Sequence, residues 1–213
     1  RLVFRVMLER KGQFEIVAGK PLPVELGLEN LDAVRAGASN MVKQIENVRL
    51  HGVPVVVAIN SFPTDTPAEV ALAKELAMEA GAFAAETSEV FAKGGAGGAA
   101  LAEALVKAAD EPSTFQFLYP SEASLREKIE TLAAKIYGAK DVEFSPLAEQ
   151  KLAQFESLGF GTMPICMAKT QYSLSHDPKL KGRPEGFTFP IQDIRVSVGA
   201  GFVYPLAGAI MTM

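Results

Sequence analysis

Val53-Pro54-Val55-Val56-Val57-Ala58-Ile59-Asn60-Ser61-Phe62-Pro63-Thr64-Asp65-Thr66 is the stretch from which the fold can be read. Residues 55–59 form a continuous apolar run, mostly β-branched, as expected of a strand buried on both faces between helices. At Asn60 the chain turns polar and opens into a loop. Thr66-Pro67-Ala68-Glu69 then starts a helix: Thr66 caps it, Pro67 fits its first position, and Glu69 stands three residues on to complete a capping box. A strand, a polar loop and a capped helix make half of a βαβ unit. In open α/β sheets the ligand sits beyond the carboxyl ends of the strands, so residues 60–66 are the first place to look for chemistry.

Upstream, Leu28, Leu31, Val34, Met41, Ile45 and Val48 recur at helical spacing, predicting a helix over 28–50 with Arg35, Lys43 and Glu46 opposite its apolar stripe and Gly52 as its stop. Downstream, a helix over 67–80 ends at Gly81 and a strand follows at 82–85. Residues 87–93 then lead through the glycine cluster 94–98 into a helix over 99–109. Two successive units that each send a strand-end loop into a helix predict an α/β fold, part of a doubly wound, mostly parallel sheet.

Around Glu111-Pro112-Ser113 the pattern changes, dividing the chain into 1–112 and a smaller α+β domain, 113–213. The latter is expected to hold a strand over 115–119 and a helix capped by Ser121 or Ser124 that runs to Tyr137. A second helix opens at Ser145-Pro146, and strands follow over 163–168, 187–198 with breaks, and 202–206. A polar loop over 172–186 carries His176. Residues 1–23 alternate at Leu2, Phe4 and Val6, with 14–17 as a candidate hairpin partner. The start at Arg1 and the stop at Met211-Thr212-Met213 read as the edges of a piece of a longer protein.

The composition is that of a globular protein, with 48% hydrophobic and 22% charged residues among 213. A formal net charge of -4 gives no electrostatic reason to expect nucleic acid or an anionic membrane as partner. Cys166 is the only cysteine, which excludes an internal disulfide; within the apolar run 163–168 it reads as a small core residue. No signal-peptide pattern and no long apolar run is present, the pattern of a soluble intracellular chain. His51 and His176 lack carboxylates at metal-ligand spacing, so no metal site is assigned to this chain.

Three features carry candidate chemistry. The cluster Gly94-Gly95-Ala96-Gly97-Gly98 follows Lys93 and opens a helix, where backbone N–H groups can hold an anion, yet it fits equally a flexible loop. It is neither G-x-x-x-x-G-K-[ST] nor G-x-G-x-x-G in register. Asp65 is either a turn former and cap or a ligand-facing carboxylate. Phe62 either packs on the neighbouring helix or stacks on a flat ring.

Six colinear runs resemble formate–tetrahydrofolate ligase: Glu29-Asn30-Leu31, Lys43-Gln44-Ile45-Glu46-Asn47, the stretch from Val55 to Thr66, Ser88-Glu89-Val90-Phe91-Ala92-Lys93-Gly94-Gly95, Ala168-Lys169-Thr170-Gln171-Tyr172-Ser173, and Gly208-Ala209-Ile210-Met211-Thr212-Met213. The resemblance covers about 21–213. It implies a P-loop NTPase-like nucleotide- and folate-binding domain, of which 1–112 would be the C-terminal part, with the phosphate loop in an N-terminal portion absent here. The implied activity joins formate to tetrahydrofolate at the expense of ATP with Mg²⁺, through formyl phosphate, with no prosthetic group. The pterin would lie between Phe62 and Phe91, the latter where the family commonly has tryptophan. Pro63, Asp65 and Thr87 would line the site, and Lys93, Gly94 and Gly95 would form a wall of the same cleft. No catalytic residue is assigned. A homo-oligomer in the cytoplasm, or in an organelle matrix, completes the expectation. The rivals are a non-catalytic folate-binding or scaffold module that needs a separate ATP-binding chain, and an unrelated doubly wound enzyme.

Overall fold

A computed structural model of the chain describes residues 29–62, 65–167 and 172–208. The expected hairpin in 1–23, Pro63, and the runs at 168–171 and 209–213 lie outside the described residues. The chain divides into two compact units, one through Gln116 and the other from Phe117. Both mix helices with small sheets, so the fold is α/β.

The first unit runs α1 (Leu31–Arg49), β1 (Val56–Asn60), α2 (Pro67–Glu79), β2 (Ala84–Ser88), α3 (Val90–Lys93), a 3₁₀ segment (Gly94–Gly98) and α4 (Ala99–Asp110). β1 and β2 pair in parallel, with Val56 opposite Ala84 and Asn60 opposite Ser88. Alternation along β1 sends Val57 and Ile59 to one face, against Met41, Ile45 and Val48 of α1 and Ala73 and Ala77 of α2. Val56 points the other way, onto Ala104 and Ala108 of α4. The strand is therefore covered on both sides, which explains its unbroken apolar run.

Several local expectations are corrected. The second strand lies at 84–88 and not 82–85, because its pairing with β1 carries it through the polar residues Glu86, Thr87 and Ser88. Lys43, expected on the polar side of α1, is buried, and Leu31 of the expected stripe is exposed. The glycine cluster is not an open loop: Gly94 to Gly98 coil into 3₁₀ structure. No strand forms over 115–119. Instead the backbone N–H groups of Thr114 and Gln116 donate to the carbonyls of Gly52 and His51, at 3.2 and 3.0 Å. Gly52 has φ +70°, and a Cβ there would lie 2.2 Å from the Thr114 carbonyl oxygen, so the turn after α1 needs glycine on both counts.

The second unit holds α5 (Leu125–Lys135), β3 (Asp141–Phe144), α6 (Pro146–Ser157), a 3₁₀ turn (Phe160–Thr162), β4 (Thr188–Ser197) and β5 (Phe202–Ala207). β3 pairs in parallel with β4, which pairs antiparallel with β5 across a register shift between Ile191 and Asp193. Ser124, not Ser121, caps α5 in a capping box with Glu127, and Ser145 caps α6 ahead of Pro146. Leu125, Ile129, Leu152, Phe189, Ile191 and Val203 form the centre of one core. Residues 163–167 make only a single bridge, Ile165 to Val203. Met163, Ile165 and Met167 pack inward, which turns Cys166 outward: the cysteine is exposed, not a core residue. Among the described residues no helix is long and apolar enough to cross a membrane.

Candidate functional site

Parallel pairing brings the carboxyl ends of β1 and β2 side by side. Their last residues, Asn60 and Ser88, are register partners, and the Ser61 N–H continues the ladder by donating to the Ser88 carbonyl at 3.2 Å. Both strand-end segments therefore leave the sheet at one edge.

Beyond β1 the chain closes a tight turn. The Phe62 N–H donates to Asp65 Oδ2 at 2.8 Å, and the Asp65 N–H donates to the Phe62 carbonyl at 2.9 Å. Asp65 thus acts as a turn former, its carboxylate accepting from a backbone N–H three residues back. Thr66 ends the loop and caps α2: the Glu69 N–H donates to its hydroxyl oxygen, and its own N–H donates to Glu69 Oε2. Phe62 is 39% exposed.

Beyond β2, Glu89 precedes the single turn of α3. Phe91 on that turn projects fully into solvent, with a relative exposure of 103%. Lys93 pairs with Glu89 at 2.7 Å, one helical turn apart and exposed. Gly97 then comes back on the start of α3, its carbonyl accepting from the Glu89 N–H at 3.0 Å. Gly94 and Gly95 face open space.

A cleft of about 420 Å³ lies between these strand ends and the first turns of α2. Ser61, Asp65 and Thr87 line it from the sheet edge, and Pro67, Val70 and Lys74 from α2. The structure therefore brings Asp65 and Thr87 together in one cleft. Phe62, Phe91, Lys93, Gly94 and Gly95 are not among the cleft's lining residues; they stand on the two segments that flank it.

Sequence reasoning missed Lys74, which pairs with Glu86 at 3.0 Å beside the cleft, and Glu89 in its wall. The only charged residue in an otherwise small-residue strand was the available signal for Glu86. It also missed the second half of the work done by Glu69, which reaches the start of α1. Among the described residues no three His, Cys, Asp or Glu side chains converge on a metal-sized site.

The family model described as formate–tetrahydrofolate ligase matches residues 10–213. The formate–tetrahydrofolate ligase of Roseiflexus castenholzii is 54% identical over 209 residues, covering 98% of this chain and 37% of the relative. That of Desulforamulus reducens is also 54% identical over 209 residues, with the same shares of each chain, 98% and 37%. The mitochondrial C-1-tetrahydrofolate synthase of Saccharomyces cerevisiae is 49% identical over 209 residues, covering 98% of this chain and 21% of that protein. The chain spans about 37% of the length of the bacterial ligases it matches. At this identity, over nearly all of its length, the chain belongs to the formate–tetrahydrofolate ligase family.

Proposed function

We propose that this chain supplies the folate-binding half of an ATP-dependent formate–tetrahydrofolate ligase. The observation that carries the reading is the pair of exposed benzyl rings, Phe62 and Phe91, issuing from adjacent parallel strands two and three residues beyond the paired Asn60 and Ser88. A pterin is flat, and stacked aromatic faces hold flat rings at a gain of about 0.5–1.5 kcal/mol beyond buried area. Phenylalanine at 91 offers a stacking face but no indole N–H donor. On this reading Asp65 and Thr87 meet the folate from the cleft they line, and Lys93, Gly94 and Gly95 close on it from the flanking segment.

In the whole enzyme, ATP phosphorylates formate, and N10 of tetrahydrofolate attacks the resulting formyl phosphate to give 10-formyltetrahydrofolate and phosphate. Charge on a transferring phosphoryl group needs cationic donors and Mg²⁺. The 213 residues contain no G-x-x-x-x-G-K-[ST], so ATP and Mg²⁺ belong to the part of the enzyme beyond this chain. The parallel β1–β2 pair then forms part of a doubly wound, P-loop NTPase-like sheet. A homo-oligomer working in the cytoplasm fits this reading, and the mitochondrial yeast relative makes an organelle matrix the natural alternative.

Tetrahydrofolate titrated into the chain and into its Phe62→Ala variant tests the reading. The variant is expected to bind about 2- to 13-fold more weakly, the loss of one stacking face. The chain alone is expected to form no 10-formyltetrahydrofolate from ATP and formate. Equal affinity in both proteins would remove the stacking site; ligase activity of the isolated chain would remove the division of labour.

A further inference from the structure

The capping glutamate of α2 has a second attachment. Glu69 is only 6% exposed. Its Oε2 accepts the Thr66 N–H at 3.1 Å, as a capping box requires. Its Oε1 accepts, also at 3.1 Å, the N–H of Asn30, 39 residues away. Asn30 in turn caps α1, its Oδ1 accepting the Ala33 N–H at 2.9 Å. The Thr66 hydroxyl closes the set by donating to Glu29 Oε2 at 2.7 Å while accepting from the Glu69 N–H. One buried carboxylate thus ties the entrance of α1 to the last residue of the loop that carries Phe62. A cap needs only one of those oxygens, and hydrogen bonds to an ionised carboxylate are the strong kind.

We propose that Glu69 is a positioning residue for the folate site: by clamping Thr66 to Asn30 it fixes the far end of the 60–66 loop and thereby the angle at which Phe62 faces the slot. The proposal rests on the folate reading of that slot. The near end of the loop is held by the sheet through the Ser61 N–H, and its middle by the reciprocal Phe62–Asp65 turn. Removing the clamp leaves the far end held through the Thr66 hydroxyl and carbonyl alone, with its N–H no longer tied to α1. Glu69→Gln keeps the shape but replaces one acceptor with an amide donor facing a backbone N–H, so one of the two ties is lost.

The test has a ligand-free arm and a binding arm. Amide hydrogen exchange at Phe62, Asp65 and Asn30 is expected to quicken by about tenfold or more in Glu69→Gln, while Val57 and Ile59 in β1 keep their protection. For tetrahydrofolate, a cycle of wild type, Glu69→Gln, Phe62→Ala and the double variant should show that Phe62→Ala costs less affinity once Glu69 is changed. Unchanged exchange at Phe62 and Asp65, or strictly additive affinities, would overturn the proposal, since a general loss of stability gives no such coupling. If Glu69→Gln does not fold, Glu69→Asp keeps the charge but is one methylene too short to hold the Thr66 and Asn30 N–H groups together, and should speed exchange at the same amides; no change there overturns the clamp. If the wild type does not bind tetrahydrofolate at all, the folate reading falls, and the exchange arm still decides whether Glu69 holds the loop.

Discussion

Gly97→Ala is the sharpest test of how the glycine segment supports Phe91. A Cβ at residue 97 would lie 2.5 Å from the carbonyl oxygen of Glu89, 2.6 Å from its carbonyl carbon and 3.0 Å from the Val90 nitrogen. Ordinary contact begins near 3.4 Å, so the overlap approaches 0.9 Å (3.4 − 2.5), and all three atoms are backbone that no side-chain rotation can clear. The 3₁₀ segment and the start of α3 must separate, straining the Glu89 N–H to Gly97 carbonyl bond of 3.0 Å. Overpacking of this kind costs about 1–3 kcal/mol. Gly95→Ala is the matched control: its Cβ meets nothing within 4 Å and its φ is not in the left-handed region. There the loss of unfolded-state freedom should leave stability unchanged or raise it by up to about 1 kcal/mol. Urea unfolding of the two variants, each followed by tetrahydrofolate titration, is the assay. The expected result is a lower midpoint and weaker binding for Gly97→Ala alone, because Phe91 rides on the displaced turn. Equal stability and equal affinity in the two variants would refute both the close approach and the coupling to Phe91.

Two further outcomes concern the second unit. Burial, with a smaller contribution from Cys166, pushes the Tyr137 phenol from 10.0 up to about 12, where its ring packs at 4.8 Å from that of Phe189. The folded state thus holds its proton longer than the unfolded state, so stability is intact below pH 10 and falls as pH rises from 10 through about 12. At about 1.4 kcal/mol per unit the loss is about 3 kcal/mol, and Tyr137→Phe should abolish that part of the alkaline decline in urea midpoints. Lys128 is fully buried and donates to the carbonyls of Gly161 and Met163 at 2.8 and 3.2 Å, with burial pushing its ammonium below the usual lysine range and Glu122 partly offsetting this. Lys128→Met keeps the apolar stem but strands those carbonyls, and should lower stability by about 1.5–3 kcal/mol; a rise would mean that desolvation of the lysine outweighs its bonds.

Elements whose causes are local were legible in the residues. Thr66-Pro67-Ala68-Glu69 and Ser145-Pro146 start helices because cap and proline are adjacent, with Glu69 completing a capping box in the first, and α2 and α6 begin there. The aromatic alternation at 115–119 misled because the backbone of Thr114 and Gln116 is claimed by Gly52 and His51, more than 60 positions away. For 163–167 the alternation was real and the strand was not. Met163, Ile165 and Met167 do face the core, but only Ile165 finds a bridge to β5. Following the phase of that alternation, and not the mean hydropathy of the run, would have turned Cys166 to solvent. Lys43 shows the converse: charge alone placed it on the outer face of α1, whereas it is buried.

The site obeys the same distinction between near and distant causes. Its location follows from a pattern written twice along the chain, apolar residues giving way to polar ones at Asn60-Ser61 and again at Glu86-Thr87-Ser88. Once two such strands lie parallel, both polar ends must share one edge, and the loops that follow must flank a common cleft. Asp65 was legible as a turn former because its partner, the Phe62 N–H, is three residues away. What could not be read locally is what holds the cleft in shape. Lys74 finds Glu86 across 12 residues, Thr66 finds Glu29 across 37, and Glu69 finds Asn30 across 39. Each of these residues reads as a solvated charge or a simple cap until α1, α2 and β2 are packed together. The proposed stacking rings stand in the opposite position: exposure alone does not single out Phe62, since Phe83 and Phe117 are exposed as well, and it is the place of Phe62 and Phe91 just past adjacent strand ends that does. Two exposed rings on segments that flank one cleft fit the proposed stacking of a flat ligand, and that juxtaposition is the physical reason to test binding there first.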